Sequence, residues 1–213
     1  MEFERARNEA QKSTRRDQIM EAALKLYETE PFEKITLASI ANKLSFSRAN
    51  LYKYVTTKEE IFLRILNSDL EKWVEEVAER LEKYDRLELK SFCRLCAELL
   101  YQNERIIRLF PILASVLETN VKPTELAAFK HNQNKSIERL KTISAKFLPD
   151  LSDEQLYLFI RYQILYALNL YPETVLYERG SAGAGLLNRK PNFITDFSDY
   201  LEIIILGIRA KNL

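Results

Sequence analysis

The stretch Thr36–Glu60, TLASIANKLSFSRANLYKYVTTKEE, decides how this chain is read. It divides into two short helical runs around a tight turn and holds no acidic residue before Glu59. Thr36 is a candidate N-cap for the first run, whose inward positions are Leu37, Ile40, Ala41 and Leu44. Ser45-Phe46 makes the turn, Ser47 caps the second run, and that run reaches about Tyr54. Two helices this short, apolar on one side and basic on the other, suit a helix-turn-helix that enters the major groove of DNA.

The outward chemistry agrees. From Lys34 through Lys58 there are five basic residues (Lys34, Lys43, Arg48, Lys53, Lys58) and no acid. In SRANLYKYV, Leu51 and Val55 point inward and Tyr54 partly so, which leaves Arg48, Ala49, Asn50, Tyr52 and Lys53 outside. Arg and Lys donate to guanine edges, Asn pairs bidentately with adenine, and Ala leaves room for a thymine methyl. Tyr52 can donate to a phosphate. Thr36 and Lys58, at the starts of their helices, can hold phosphates through side chains and helix N-terminal amides, and Ser47 belongs with the DNA-facing set. Scattered charge usually marks only a solvated face, so the weight falls on the particular order of residues.

That order resembles the N-terminal DNA-binding domain of the TetR family of transcriptional regulators over residues 14–61. The resemblance rests on Ile35-Thr36-Leu37, Ile40-Ala41, Ser47-Arg48-Ala49-Asn50-Leu51-Tyr52-Lys53-Tyr54 and Lys58-Glu59. Two positions depart from the family pattern. Ser45 stands where a turn glycine is usual, and Val55 stands where a phenylalanine is usual. A non-glycine residue at positive φ costs about 1 kcal/mol, so the turn is where the geometry is in question.

Around this segment the chain is expected to be all α-helical. Four Gly and six Pro in 213 residues are too few for a turn-rich β protein. Residues 1–12 are expected to fray, and a first helix to run from near Thr14 to about Thr29. Thr57-Lys58-Glu59-Glu60 is a capping box that opens a long helix. Its apolar positions are Ile61, Phe62, Ile65, Leu66, Leu70, Trp73, Val77 and Leu81. Further helices are expected at about 87–101, 104–118 and 122–147, with Pro111 kinking or splitting the second. A second capping box, Ser152–Gln155, opens a helix to about Leu170, before Pro172. Residues 178–192 read as a mobile loop, and a last helix runs from about Phe193 to Ala210. The expected architecture is a three-helix helix-turn-helix domain at 1–57 and a helical bundle for dimerisation and ligand binding at 58–213.

The family resemblance implies that this second domain dimerises and often binds a small molecule. The sequence supports the dimer independently. In 156–171 and in the second half of 193–208, apolar residues lie on nearly every side, and a helix apolar all round must be covered on all sides. A two-fold four-helix interface is therefore expected, with Leu156, Phe159, Ile160, Tyr200, Ile204 and Ile208 in it. A homodimer also suits a palindromic operator on double-stranded DNA. For a possible small-molecule effector the candidate contacts are Trp73, Tyr101, Phe110, Tyr162, Gln163 and Tyr166, although plain core packing is the better explanation for each one taken singly.

Other classes find little support. The net charge of +1 leaves no global electrostatic steering, so a nucleic-acid surface must be local. Cys93 and Cys96 have a CxxC spacing, but a metal site needs further ligands and the single histidine, His131, is distant in sequence. Buried structural thiols are expected, with no metal site and no cofactor. With no phosphate-cradling Gly loop, no catalytic site is assembled. No stretch reaches the roughly 18 apolar residues of a membrane span, and the N-terminus lacks the apolar core of a signal peptide, so a cytoplasmic location is expected. The rival reading keeps the DNA-binding head without an effector, as a DNA-organising or protein-docking factor. A tightly filled body would favour it.

Overall fold

A computed structural model describes residues 2–112, 120–178 and 190–211, with side chains from Gln11 onward. Among the described residues all regular structure is helical. The α-helices are α1 (Glu2–Tyr27), α2 (Leu37–Lys43), α3 (Arg48–Leu51), α4 (Lys58–Leu81), α5 (Leu89–Gln102) and α6 (Glu104–Ile112). They continue with α7 (Pro123–Phe147), α8 (Asp153–Glu178) and α9 (Phe193–Ala210). A single 3-10 turn spans Phe32–Lys34. None of these helices is long and apolar enough to cross a membrane.

The chain forms two compact units. The first comprises Met1–Asn67 with Ile112–Phe129, and the second Ser68–Pro111 with Lys130–Leu213. In the first, α2 packs on α1 and α3. Its core includes Ile19, Ala23, Ile35, Ile40, Ala41, Leu51 and Phe62, all fully buried. The Phe62 ring meets the edges of Tyr27 and Phe32 with centroids 5.5 and 5.0 Å apart. Burying one such side chain is worth about 1.5–3 kcal/mol, so this cluster holds the small unit together. In the second unit α9 packs on α5 and α8, with Tyr200 of α9 stacked on Tyr166 of α8 and Phe193 of α9 against Tyr101 of α5.

The long helix α4 keeps its expected face: all eight of its anticipated apolar positions are buried. Its opening cap differs from a plain capping box. Glu60 N–H does donate to Thr57 Oγ1 at 3.1 Å, but the Glu60 carboxylate reaches past Thr57 to accept from Thr56 N–H and Oγ1, both at 2.8 Å. Arg64 then bridges Glu60 at 2.7 Å and Glu125, on the first turn of α7, at 3.2 Å.

Three helix bounds depart from the sequence reading. The first helix begins at Glu2 rather than near Thr14, because residues 2–13 contain no glycine or proline and many good helix formers. The helix after Leu51 tightens into i→i−3 bonds, Lys53 N–H to Asn50 and Tyr54 N–H to Leu51, so α3 proper is short. The helix opened by Ser152 does not stop before Pro172 but continues to Glu178. Beyond the proline, Thr174 is buried and donates through Oγ1 to the Tyr171 carbonyl, while Tyr171 itself packs edge-on against Phe193. That packing outweighs the roughly 3 kcal/mol cost of an interior proline. The loop expected at 178–192 and the end of the helix expected at 104–118 lie largely outside the described residues.

Candidate nucleic-acid interface and ligand cleft

Local chemistry builds the helix-turn-helix. Thr36 caps α2: its Oγ1 accepts from Ser39 N–H at 3.1 Å, and Ser39 Oγ accepts from Thr36 N–H at 3.0 Å. At the other end α2 closes in a Schellman motif. Ser45 N–H donates to the Asn42 carbonyl and Phe46 N–H to the Ala41 carbonyl. The motif needs a left-handed residue, and Ser45 takes it with φ 57°, a conformation that favours glycine. The turn is thus the usual one, made with a costlier residue. Ser47 caps α3 by accepting from Asn50 N–H at 3.2 Å.

The consequence is a short helix with a divided surface. Leu51 and Val55 are buried, Tyr54 and Asn50 half-buried, and Arg48, Ala49, Tyr52 and Lys53 exposed. Thr36 and Ser47 are exposed, with their hydroxyls already serving as caps. Lys58 is placed differently from the others. Its ammonium donates to the Phe32 carbonyl at 2.7 Å and lies over the Phe32 ring, so it ties the 3-10 turn to the start of α4.

One cation absent from the sequence reading sits beside the turn. The Arg15 guanidinium lies 5.4 Å from the centre of the Phe46 ring and donates to Gln18 Oε1 at 2.8 Å. With Lys43 it borders a concavity of about 330 Å³. The Arg15-Arg16 pair was the available signal, but only folding brings α1 beside the turn.

In the second unit a cleft of about 300 Å³ opens between α4, α6, α7 and α8. Leu70, Ile137, Leu140, Ile160 and Ile164 make much of its wall, with Trp73 and Phe110. Of the six candidate effector contacts, Trp73 and Phe110 line this cleft. The other four do not. Tyr101 lies tilted against Phe193, Tyr166 stacks against Phe197 and Tyr200, Gln163 is buried, and Tyr162 is at the surface. Arg161, on α8, lines the cleft and is exposed to solvent. Trp73 is 3% exposed, and its indole N–H has no hydrogen-bond partner among the described residues.

The six residues expected at a dimer interface are placed as follows. Leu156, Phe159, Ile160 and Ile208 are covered by their own chain, and Tyr200 and Ile204 are half-buried. The apolar side chains that these helices leave open are Leu165 and Leu176 on α8 and Ile203 and Leu206 on α9, each about half exposed or more. Gly207 lies beside them, with no atom of the described residues near the position a Cβ would take. Both cysteines are free thiols, Cys93 buried and Cys96 half-buried. Among the described residues no His, Cys, Asp and Glu side chains group as metal ligands.

Residues 19–65 match the family model described as bacterial regulatory proteins, tetR family, and residues 67–212 match that of the tetracyclin repressor-like C-terminal domain. An uncharacterised HTH-type transcriptional regulator of Bacillus subtilis, YfiR, is 33% identical over 60 residues. That match spans 28% of this chain and 29% of the curated relative's length. Among solved structures, Thermus thermophilus FadR, a TetR family transcriptional repressor in complex with lauroyl-CoA, shares 19% identity at a TM-score of 0.57. It aligns over 90% of this chain and 93% of its own. The fatty acid degradation regulator FadR of Bacillus halodurans shares 12% identity at a TM-score of 0.59, over 90% and 94% of the two chains. At these identities the likeness is one of fold.

Proposed function

This chain belongs to the TetR family of transcriptional regulators, and from that premise we propose that it is a repressor that binds a palindromic operator as a homodimer and is released by a small-molecule effector. The observation that carries the DNA-binding part is the outward face of α3. Arg48 and Ala49 on α3 and Tyr52 and Lys53 on the turn that follows it stand in solvent, while Leu51 and Val55 anchor the segment from within. Arg48, Asn50 and Lys53 read base edges, with Ala49 beside them, and Tyr52, Thr36 and Ser47 contact phosphates. Arg15 extends the cationic surface on the other side of the turn, and Lys58 serves first as an internal clamp.

One head contacts one half-site, so a palindrome calls for two copies. The partner surface in this proposal is the exposed apolar stripe of α8 and α9 rather than the covered residues on their inner faces. Leu176, Ile203 and Leu206 form it, and Gly207 lets a second helix come close. The effector part is supported by the cleft against Trp73 and Phe110, since a tightly filled body would have favoured an effector-independent factor. The lauroyl-CoA in the Thermus structure makes an effector that carries an acyl chain the natural class to try first. Such a ligand regulates only if it binds the DNA-competent and released arrangements with different affinity.

The test is to titrate the protein against DNA upstream of its own gene and follow fluorescence anisotropy. Specific binding that Arg48→Ala and Lys53→Ala each weaken, with loss of sequence preference, supports the reading. Absence of binding at low salt to every fragment of its own locus would sink it.

A further inference from the structure

The cleft in the second unit states which chemistry it accepts. Its wall is mainly aliphatic and aromatic, from Leu70, Phe110, Ile160 and Ile164, with the neutral polar Gln133, Asn134 and Ser136 of α7 beside them. Into this wall is set Trp73, nearly fully buried, whose indole N–H has no partner among the described residues. An indole nitrogen is donor only, and a buried donor left unmatched costs about 1–3 kcal/mol. An occupant that presents an oxygen acceptor removes that cost. Among the described residues the charge of the lining has one sign: Arg161 is there and no Asp or Glu is. Arg161 makes no ion pair or hydrogen bond with other described residues. A guanidinium is a planar multiple donor that matches a carboxylate. The volume of about 300 Å³ is near the lower end for ligand pockets and corresponds to about ten water volumes of ~30 Å³ each.

Resting on the effector reading above, we propose that this cleft binds a small carboxylate with a single apolar body of about ten non-hydrogen atoms. The body lies against the aliphatic wall, Arg161 supplies the charge match, and Trp73 Nε1 donates to an oxygen of the ligand. A cationic amphiphile of the same size meets the wrong charge at Arg161. A neutral ester keeps an acceptor for Trp73 and loses the ion pair.

Trp73 is the single tryptophan of the sequence, so its fluorescence reports occupancy of this cleft directly. The full-length protein is titrated with decanoate, methyl decanoate and decylammonium, each below its aggregation concentration, and each titration is repeated by calorimetry. Decanoate is expected to saturate at one per subunit and to bind at least about 10-fold tighter than either comparator. Arg161→Gln, an exposed substitution that leaves the core alone, is expected to bring decanoate down to the level of the ester. Trp73→Phe, followed by calorimetry, is expected to weaken decanoate about 5-fold, the size of one hydrogen bond. Equal or tighter binding of decylammonium or the ester, no saturable decanoate binding, or an Arg161→Gln variant with unchanged preference would each overturn the proposal. DNA binding is measured on the same preparations. A protein that binds its operator and ignores decanoate loses the carboxylate and keeps the DNA-binding role. A protein that binds decanoate as described but no DNA keeps the carboxylate site and loses the repressor role.

Discussion

Lys58 and Phe32 are joined twice: the ammonium donates to the Phe32 carbonyl at 2.7 Å and lies 4.2 Å from the centre of the Phe32 ring. The same ammonium is 3.4 Å from the Glu33 carbonyl. A residue whose place at a helix start suggests a phosphate contact is therefore part of the fold of the small unit. Lys58→Met keeps the apolar stem and removes these bonds, and it should lower stability to urea by about 1–3 kcal/mol. Salt dependence of DNA binding separates the two roles. An unchanged slope leaves Lys58 as a clamp, whereas a slope reduced by about 0.9 assigns it one phosphate as well.

Ser45 holds a left-handed conformation in a turn whose two closing hydrogen bonds are both made. A non-glycine residue there costs about 1–2 kcal/mol, and glycine returns part of the gain through its freer unfolded chain. Ser45→Gly should therefore raise stability by about 0.5–1 kcal/mol, read as a higher urea midpoint with unchanged slope. DNA affinity should stay within about 2-fold, because the conformation of the turn is already the one glycine would take. A loss of stability would mean that the Ser45 side chain makes a compensating contact.

Ile203 is 66% exposed and Leu206 50% exposed on the outer side of α9. Placing a charge at each, Ile203→Glu with Leu206→Glu, removes apolar area that a partner would cover and puts like charges across a two-fold axis. The double variant should sediment as a monomer with its helix content intact, and lose operator affinity by at least about 100-fold as the second half-site contact disappears. A variant that sediments as the unmodified protein does would move the interface to another face. Leu156→Ala or Phe159→Ala, by contrast, should destabilise the subunit itself by about 2–5 kcal/mol, because both are already buried in their own chain.

Burial pushes the Cys93 thiol up to about 12, with the nearby Glu202 charge adding to the effect, and burial raises Cys96 as well. An ordinary thiol titrates near ~8.5, so at mildly alkaline pH the native thiols stay almost wholly protonated and poorly nucleophilic. A disulfide reagent should react slowly with the native protein and rapidly with both cysteines after denaturation in guanidinium. The linkage has a definite sign. A group whose folded pKa lies above its unfolded value stabilises fully below the unfolded value. That contribution should therefore be intact up to about pH 8.5 and decline as the pH rises toward 12. Rapid labelling of native protein would show that the α5 region opens readily.

Much of the helix-turn-helix was legible because its signals are local. Thr36, Ser47 and Ser152 cap helices through bonds to residues three positions on, and such bonds depend on little beyond the segment itself. The α4 apolar positions were legible for a related reason: a helical period with one buried face needs no knowledge of what covers it. Pro172 misled because an interior proline is a local penalty, and the burial of Tyr171 and Thr174 that offsets it is tertiary. Arg15 went unnoticed because nothing in its neighbourhood along the chain points to Phe46.

By itself the sequence determined an all-helical chain, the capped helix-turn-helix, and the outward set Arg48, Ala49, Tyr52 and Lys53. These follow from periods and caps that span a few residues. The tertiary structure alone decided which sides of α8 and α9 face the chain's own core, since a helix apolar all round carries no periodic signal to choose between them. It alone turned Lys58 inward onto Phe32, across 26 positions of chain. It alone brought Trp73, Phe110 and Arg161 to one cleft, because they stand on three different helices and only the packing of those helices sets their distance.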